Sequence, residues 1–141
     1  MEGRIVAVNR VDKRGVPKTN VRAGCLREGW GLVGDAHAGD WDRQVSVFPL
    51  EAMALVPCTK RESVLGGGYT ENITIEGISL DQLVIGKKLR LGEAEIMICC
   101  VGKEKHEEEG RPYIVSREGR FGRVTKSGSV RVGDPVTIIE E

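Results

Sequence analysis

The chain has 141 residues, enough for one domain with one sizeable core, and balances 21 basic against 21 acidic side chains. A net charge of zero with interspersed signs removes the long-range field that draws proteins onto nucleic acid or acidic lipid, so any anion bound here is small and locally held. No apolar run approaches the roughly 18 residues of a membrane span, the start lacks a signal-peptide pattern, and a soluble cytoplasmic protein is expected.

Four cysteines, Cys25, Cys58, Cys99 and Cys100, lack the paired spacing of a zinc site and are too few for a secreted disulfide scaffold, so reduced thiols are expected. Nineteen glycines among short β-branched runs favour many strands joined by tight turns, as in a barrel or sandwich.

In chain order, Arg4 to Asn9 reads as a buried first strand, Asp12 to Thr19 as an exposed loop, and Val21 to Trp30 as a weakly patterned connection. The stretch from Gly34 to Arg43 then gathers a histidine, three aspartates, an arginine and a tryptophan within ten residues, and runs into a strand at Val45 to Phe48. Its glycines let the backbone approach a ligand and its other residues hold protons, anions or metals, so it reads as a pocket rim. An Asp/Gly-rich turn that caps its own backbone is the plainer alternative. Pro49 opens a short helix over Glu51 to Leu55, and Cys58 falls in an inert loop.

Gly66-Gly67-Gly68 delivers Thr70, Glu71 and Asn72 to an alternating strand, Ile73 to Glu76, and its main-chain amides suit a phosphate. Ser79 caps one helical turn at Leu80 to Leu83. Lys88 to Leu91 and Ala94 to Val101 form a hairpin about Gly92-Glu93, with glycine first as a type II′ turn wants. Cys99 and Cys100, adjacent in that strand, point to opposite faces and cannot share a metal without a bulge. A charged segment follows, Lys103 to Glu109, in which His106 suits a lid. Gly119 to Thr125 and Ser129 to Val132 form another hairpin, and Val136 to Ile139 is the closing strand. The sum is an antiparallel β protein with very little helix.

Taken together the motifs resemble the MOSC domain, named for the C-terminal part of molybdenum cofactor sulfurases. The matching pieces are Gly34-Asp35-Ala36-His37-Ala38-Gly39 with Arg43-Gln44-Val45-Ser46, then Gly68 with Glu71-Asn72-Ile73-Thr74 and Gly77, then Ile85-Gly86 with Leu91-Gly92. Gly102-Lys103, Gly119 with Arg123-Val124, and Gly128 to Asp134 complete the set, in the family's order and across nearly all of residues 1–141. The resemblance implies a closed antiparallel β-barrel like the barrel domain of pyruvate kinase, forming a single MOSC domain with a few short helices. It also implies handling of the molybdenum cofactor, molybdopterin, or of sulfur destined for it. Some members are sulfur carriers or sulfurtransferases, and others are molybdenum-cofactor-dependent oxidoreductases. Carried over by motif, Arg43, Asn72 and Arg123, with Thr70 and Lys103, would face the cofactor, while Asp35, His37 and Glu71 would order the rim.

The chain departs from the family at Gly102-Lys103-Glu104-Lys105-His106, where Lys105 stands at the position of the cysteine expected to ligate molybdenum or carry a persulfide. An ammonium group does neither. One reading is therefore a module that binds the cofactor, or a related phosphate-bearing small molecule, without a cysteine ligand. A second is a sulfur-carrier enzyme in which Cys100 or Cys99 has taken over, activated by Lys103, Lys105 or His106, with a cysteine desulfurase or cofactor-biosynthesis protein as partner. A third sets the resemblance aside and reads Asp35, His37, Asp40 and Asp42 as a magnesium or manganese site for hydrolysis. No lysine-bearing pyridoxal phosphate site is recognisable.

Overall fold

A computed structural model describes residues 2–10, 19–35, 38–41, 44–55, 72–101 and 119–139. The strands are β1 (Glu2–Arg10), β2 (Thr19–Asn20), β3 (Ala23–Arg27), β4 (Gly31–Leu32), β5 (Val45–Pro49), β6 (Ile73–Glu76), β7 (Lys88–Leu91), β8 (Ala94–Val101), β9 (Arg120–Lys126), β10 (Gly128–Arg131) and β11 (Pro135–Ile139). In the order β11-β7-β8-β9-β5-β6-β1, seven of them form a sheet that closes on itself through the β1–β11 pairing. Closure removes the exposed edges a sheet of this size would otherwise carry.

The inside is made by alternation. Val45 and Val47 of β5, Ile73 and Ile75 of β6, Leu89 and Leu91 of β7, and Ile96 and Ile98 of β8 all join one buried core. The outer face of β5 is also covered, since all five of its residues are buried, and Phe48 and Phe121 are buried outside the central cluster. The Gly92-Glu93 connection is as expected, with Leu91 opposite Ala94 and Gly92 at φ +59.

Several expectations are corrected. The barrel is antiparallel except where β5 and β6 run parallel, Val47 opposite Ile73. Such a pair needs a long crossover, which the chain from Leu50 to Asn72 supplies. Val21 to Trp30 contains a strand, β3, made by its pairing with β10 and β4 rather than by its own pattern. The expected hairpin between Gly119–Thr125 and Ser129–Val132 does not form. Gly128 lies against the main chain of Glu93 and Ala94 with no room for a Cβ, and the chain turns there so that β10 pairs with β3. Leu26, Leu32 and Val130 of this small three-stranded sheet join the barrel core.

Leu50–Leu55 and Leu80–Gln82 are 3-10 helices. Pro49 ends β5 rather than opening the first of them, and the hydroxyl of Ser79 makes no capping hydrogen bond to the second.

The row from Val101 through Arg120 and Val47 to Ile73 joins the end of β8, the starts of β9 and β6 and the middle of β5, and Ile78 and Leu83, which flank the second 3-10 helix, join the core. Arg120, itself buried, donates from Nε to the Leu83 carbonyl at 3.0 Å and from Nη2 to the Leu80 carbonyl at 3.4 Å. No helix among the described residues is long and apolar enough to cross a membrane.

Candidate functional site

Where β6 begins beside β5, two sequence motifs far apart in the chain are locked together. Asn72 sits one residue before β6, and its Oδ1 accepts from the Ser46 N–H at 3.0 Å and from the Ser46 hydroxyl at 3.2 Å. The Asn72 N–H donates to Ser46 Oγ at 2.9 Å, so the bonding is reciprocal. On the other side the Asn9 N–H donates to the Asn72 carbonyl at 2.6 Å, Asn72 Nδ2 to the Asn9 carbonyl at 3.4 Å, and Asn9 Nδ2 to Thr74 Oγ1 at 3.4 Å. All four residues are buried. These bonds satisfy most of the polar atoms of a strip that lies under cover, and cutting one member leaves its partners with the desolvation cost.

Gln44 extends this end of the barrel. Its Oε1 accepts from the Val124 N–H at 3.1 Å, and the side chain thus serves β9 as a piece of strand would. Its Nε2 is buried and has no hydrogen-bond partner among the described residues. Asp35 is buried in a turn in which the Asp35 N–H donates to the Leu32 carbonyl at 3.1 Å and the Ala38 N–H to the Asp35 carbonyl at 3.3 Å. Arg123 of β9 reaches Asp40 of the same loop, Nη1 to Oδ1 at 3.6 Å.

Of the cofactor-facing and rim residues expected from sequence, three are described: Asn72 bonds to Ser46 and Asn9, Arg123 reaches Asp40, and Asp35 is buried in the turn after β4. Arg43, Thr70, Glu71, Lys103, Lys105, His37 and His106 lie outside the described residues, as does Asp42 of the suggested metal site. Asp40 faces Arg123, and no group of three or more potential metal-ligating side chains occurs among the described residues. Arg43 immediately precedes Gln44, and Glu71 immediately precedes Asn72, so the two anchors fix the ends of the segments carrying them.

Cys99 and Cys100 lie at the end of β8. The expectation that they point to opposite faces assumed an unbroken ladder, and the β8–β9 register shifts between Ile98 and Cys100. Cys100 pairs with Phe121, and Cys99 is the extra residue of a bulge, so strict alternation is suspended there. Both cysteines are half-buried and neither forms a disulfide among the described residues, and Cys99 Sγ donates to the Met97 carbonyl at 3.7 Å. Cys25 is exposed on β3 opposite Ser129. One row crosses the sheet from Cys100 through Phe121 and Ser46 to Asn72. At about 4.8 Å per strand, Cys100 and Asn72 are roughly 14 Å apart along it.

Gln44, Ser46, Asn9 and Arg120 escaped the sequence reading as site or support residues. The signal available for Ser46 and Asn72 was a polar residue next to alternating Val or Ile. It gives no hint that the outer face there is covered.

Comparison with known proteins agrees with the barrel. The MOSC domain family model matches residues 34–137. Among solved structures, the YuaD protein from Bacillus subtilis superposes with a TM-score of 0.70 at 15% identity, covering 98% of this chain and 96% of that one. YiiM from Geobacillus stearothermophilus gives 0.67 at 19% identity, over 98% of this chain and 75% of that one. YiiM from Escherichia coli gives 0.68 at 18% identity, over 100% and 71%. No curated protein sequence matches the chain.

Proposed function

Because this chain belongs to the MOSC domain family, which is linked to molybdenum cofactor binding or sulfur transfer, we propose that it binds the phosphate-bearing pterin of that cofactor. The site is the region where β6 begins beside β5. The observation that carries this reading is the reciprocal Ser46–Asn72 bonding, which joins the family segment ending at Ser46 to the one containing Glu71 and Asn72. In this reading Asn72 is a positioning residue, its amide engaged by Ser46 and Asn9. Arg43 and Arg123 supply charge-assisted hydrogen bonds to phosphate, which are shorter and stronger than neutral ones. Thr70 and the glycines before it add hydroxyl and main-chain donors, Lys103 adds charge, and Asp35, His37 and Glu71 order the rim.

The residues present fit the organic half of the cofactor. The buried Gln44 Nε2 offers a donor of the kind that a ring carbonyl or ring nitrogen accepts. When bound, the cofactor would supply redox chemistry at its metal. The chain's own part is to hold the phosphate and ring and to exclude water from them. With Lys105 at the family's cysteine position, no thiolate from that position contributes.

Isothermal titration with molybdopterin tests this. Tight binding by the wild type is expected, with roughly tenfold or greater loss in Arg43→Ala and in Arg123→Ala at an unchanged melting temperature. A folded wild-type protein that fails to bind would sink the proposal.

The bulge at Cys99 favours a second reading, sulfur transfer. A Cys100 or Cys99 thiolate would attack the terminal sulfur of a persulfide on a cysteine desulfurase, the donor cysteine leaving as thiolate and the acceptor keeping the sulfur as a new persulfide. Incubation with a loaded desulfurase should then label the wild type and not a Cys99→Ser/Cys100→Ser variant. Equal labelling of both, or of neither, rejects it.

A further inference from the structure

Both tryptophans of the chain, Trp30 and Trp41, lie in one corner beside the Arg123–Asp40 pair. Trp30 follows β3 in a turn whose Gly29 N–H donates to the Val124 carbonyl at 3.1 Å, which ties the turn to β9 next to Arg123. The Trp30 carbonyl accepts the Gly39 N–H at 2.8 Å, and the Trp41 N–H donates to the Gly39 carbonyl at 3.1 Å. A Cβ built on Gly39 would lie 3.8 Å from Trp41 Cδ1 and 4.0 Å from Nε1, so the Trp41 indole stands against this glycine. Gly31, at φ +130, lets the Gln44 carbonyl come closer than any side chain would allow, which seats the turn on the strand that carries the buried Gln44 amide.

Three features of this corner are unexplained by folding. Trp30 is 44% exposed although an indole is among the most favourable side chains to bury, and Val33 beside it is exposed as well. Gln44 Nε2 is a buried donor with no partner among the described residues, although buried polar groups are nearly always satisfied. Asp40, the acidic partner of Arg123, has a side chain 92% exposed and makes its contact at 3.6 Å. A solvated ion pair of that length is weak and yields to a better anion.

We propose that Trp30, Trp41 and Arg123 form a stacking and anion-binding corner for a flat heteroaromatic ring that carries a phosphate. One indole takes the ring face, Arg123 exchanges Asp40 for the phosphate, and Gln44 donates to the ring edge. This deepens the cofactor reading above and rests on it for the choice of a pterin; a purine or flavin monophosphate presents the same chemistry.

The two indoles are also the reporters. Intrinsic tryptophan fluorescence is followed while molybdopterin, flavin mononucleotide and guanosine monophosphate are added separately to the wild type, Trp30→Ala, Trp41→Phe and Arg123→Gln, with thermal melts as the check of folding. The expected result is quenching of the wild type by molybdopterin. Affinity should fall roughly 5- to 100-fold in Trp30→Ala, the span that loss of one aromatic stack produces, with melts unchanged. Arg123→Gln should weaken binding of the phosphorylated ligand and leave its dephosphorylated form unaffected. Molybdopterin bound equally by the wild type and by Trp30→Ala and Arg123→Gln overturns the corner and leaves the cofactor reading standing. Binding of flavin or guanosine monophosphate alone, with the same dependence on Trp30 and Arg123, supports the corner and overturns the pterin. No binding of any of the three overturns both.

Discussion

Two arginines show how differently one side chain counts in this barrel. Arg4 pairs with Glu76 across β1 and β6, but both ends of the pair reach solvent. Water screens it, and Arg4→Ala should cost at most about 1 kcal/mol in urea denaturation. Arg120 is buried, and it donates to the Leu83 and Leu80 carbonyls that hold the second 3-10 helix. Arg120→Met keeps much of the volume and loses charged hydrogen bonds, so about 3 kcal/mol of destabilisation is expected in the same measurement. An equal, small effect for both variants would show that these carbonyls are as well served by water. Neither ranking is legible in sequence, because an arginine in an alternating strand looks the same whether or not a helix later covers it.

At the scale of elements, β8 and β9 depart most from ideal pairing. Their register shifts between Glu95 and Ile96 and again between Ile98 and Cys100. Gly122 lies between these shifts, and a Cβ there would collide with the Met97 carbonyl and the Ile98 Cα. The obstacle is main chain, which cannot rotate away as a side chain would. Gly122→Ala should therefore destabilise by about 1–3 kcal/mol and lower the melting temperature by several degrees, whereas Gly133→Ala, where open space surrounds the site, carries only the strain of φ +94. A larger loss at Gly133 than at Gly122 would contradict this account of the packing. The same irregularity removes the premise on which the two cysteines were expected to face opposite ways. Alternation is a rule for unbroken ladders, and nothing in Ile98-Cys99-Cys100-Val101 announces that the ladder breaks.

For the whole molecule, closure rests on a short seam. Glu2, Gly3 and Arg4 of β1 pair with Thr137, Val136 and Pro135 of β11, and β11 pairs in turn with β7. The seam is non-local, joining the beginning of the described chain to its end. Removal of residues 135–141 deletes Val136 from the core and opens an edge on β1 and on β7. Such a chain should lose the cooperative urea transition of the full-length protein and bind a hydrophobic dye. A sharp transition retained at similar midpoint would mean that the barrel does not depend on its closure.

What the sequence determined by itself is local or repetitive. Alternating Ile and Val placed β6 and most of β5, Gly92-Glu93 placed a hairpin, and an ordered set of short motifs from Gly34 to Asp134 identified the family and hence the barrel. Each of these signals resides in a few consecutive residues or in their order. The tertiary structure alone decided that β5 and β6 run parallel, that β10 leaves β9 for β3, and that Ser46, Asn9 and Asn72 share one buried network. It alone set Trp30, Trp41 and Arg123 in one corner. These outcomes depend on which strands meet across the closed sheet. That choice is made by the packing of one common core, so no stretch of chain carries it alone.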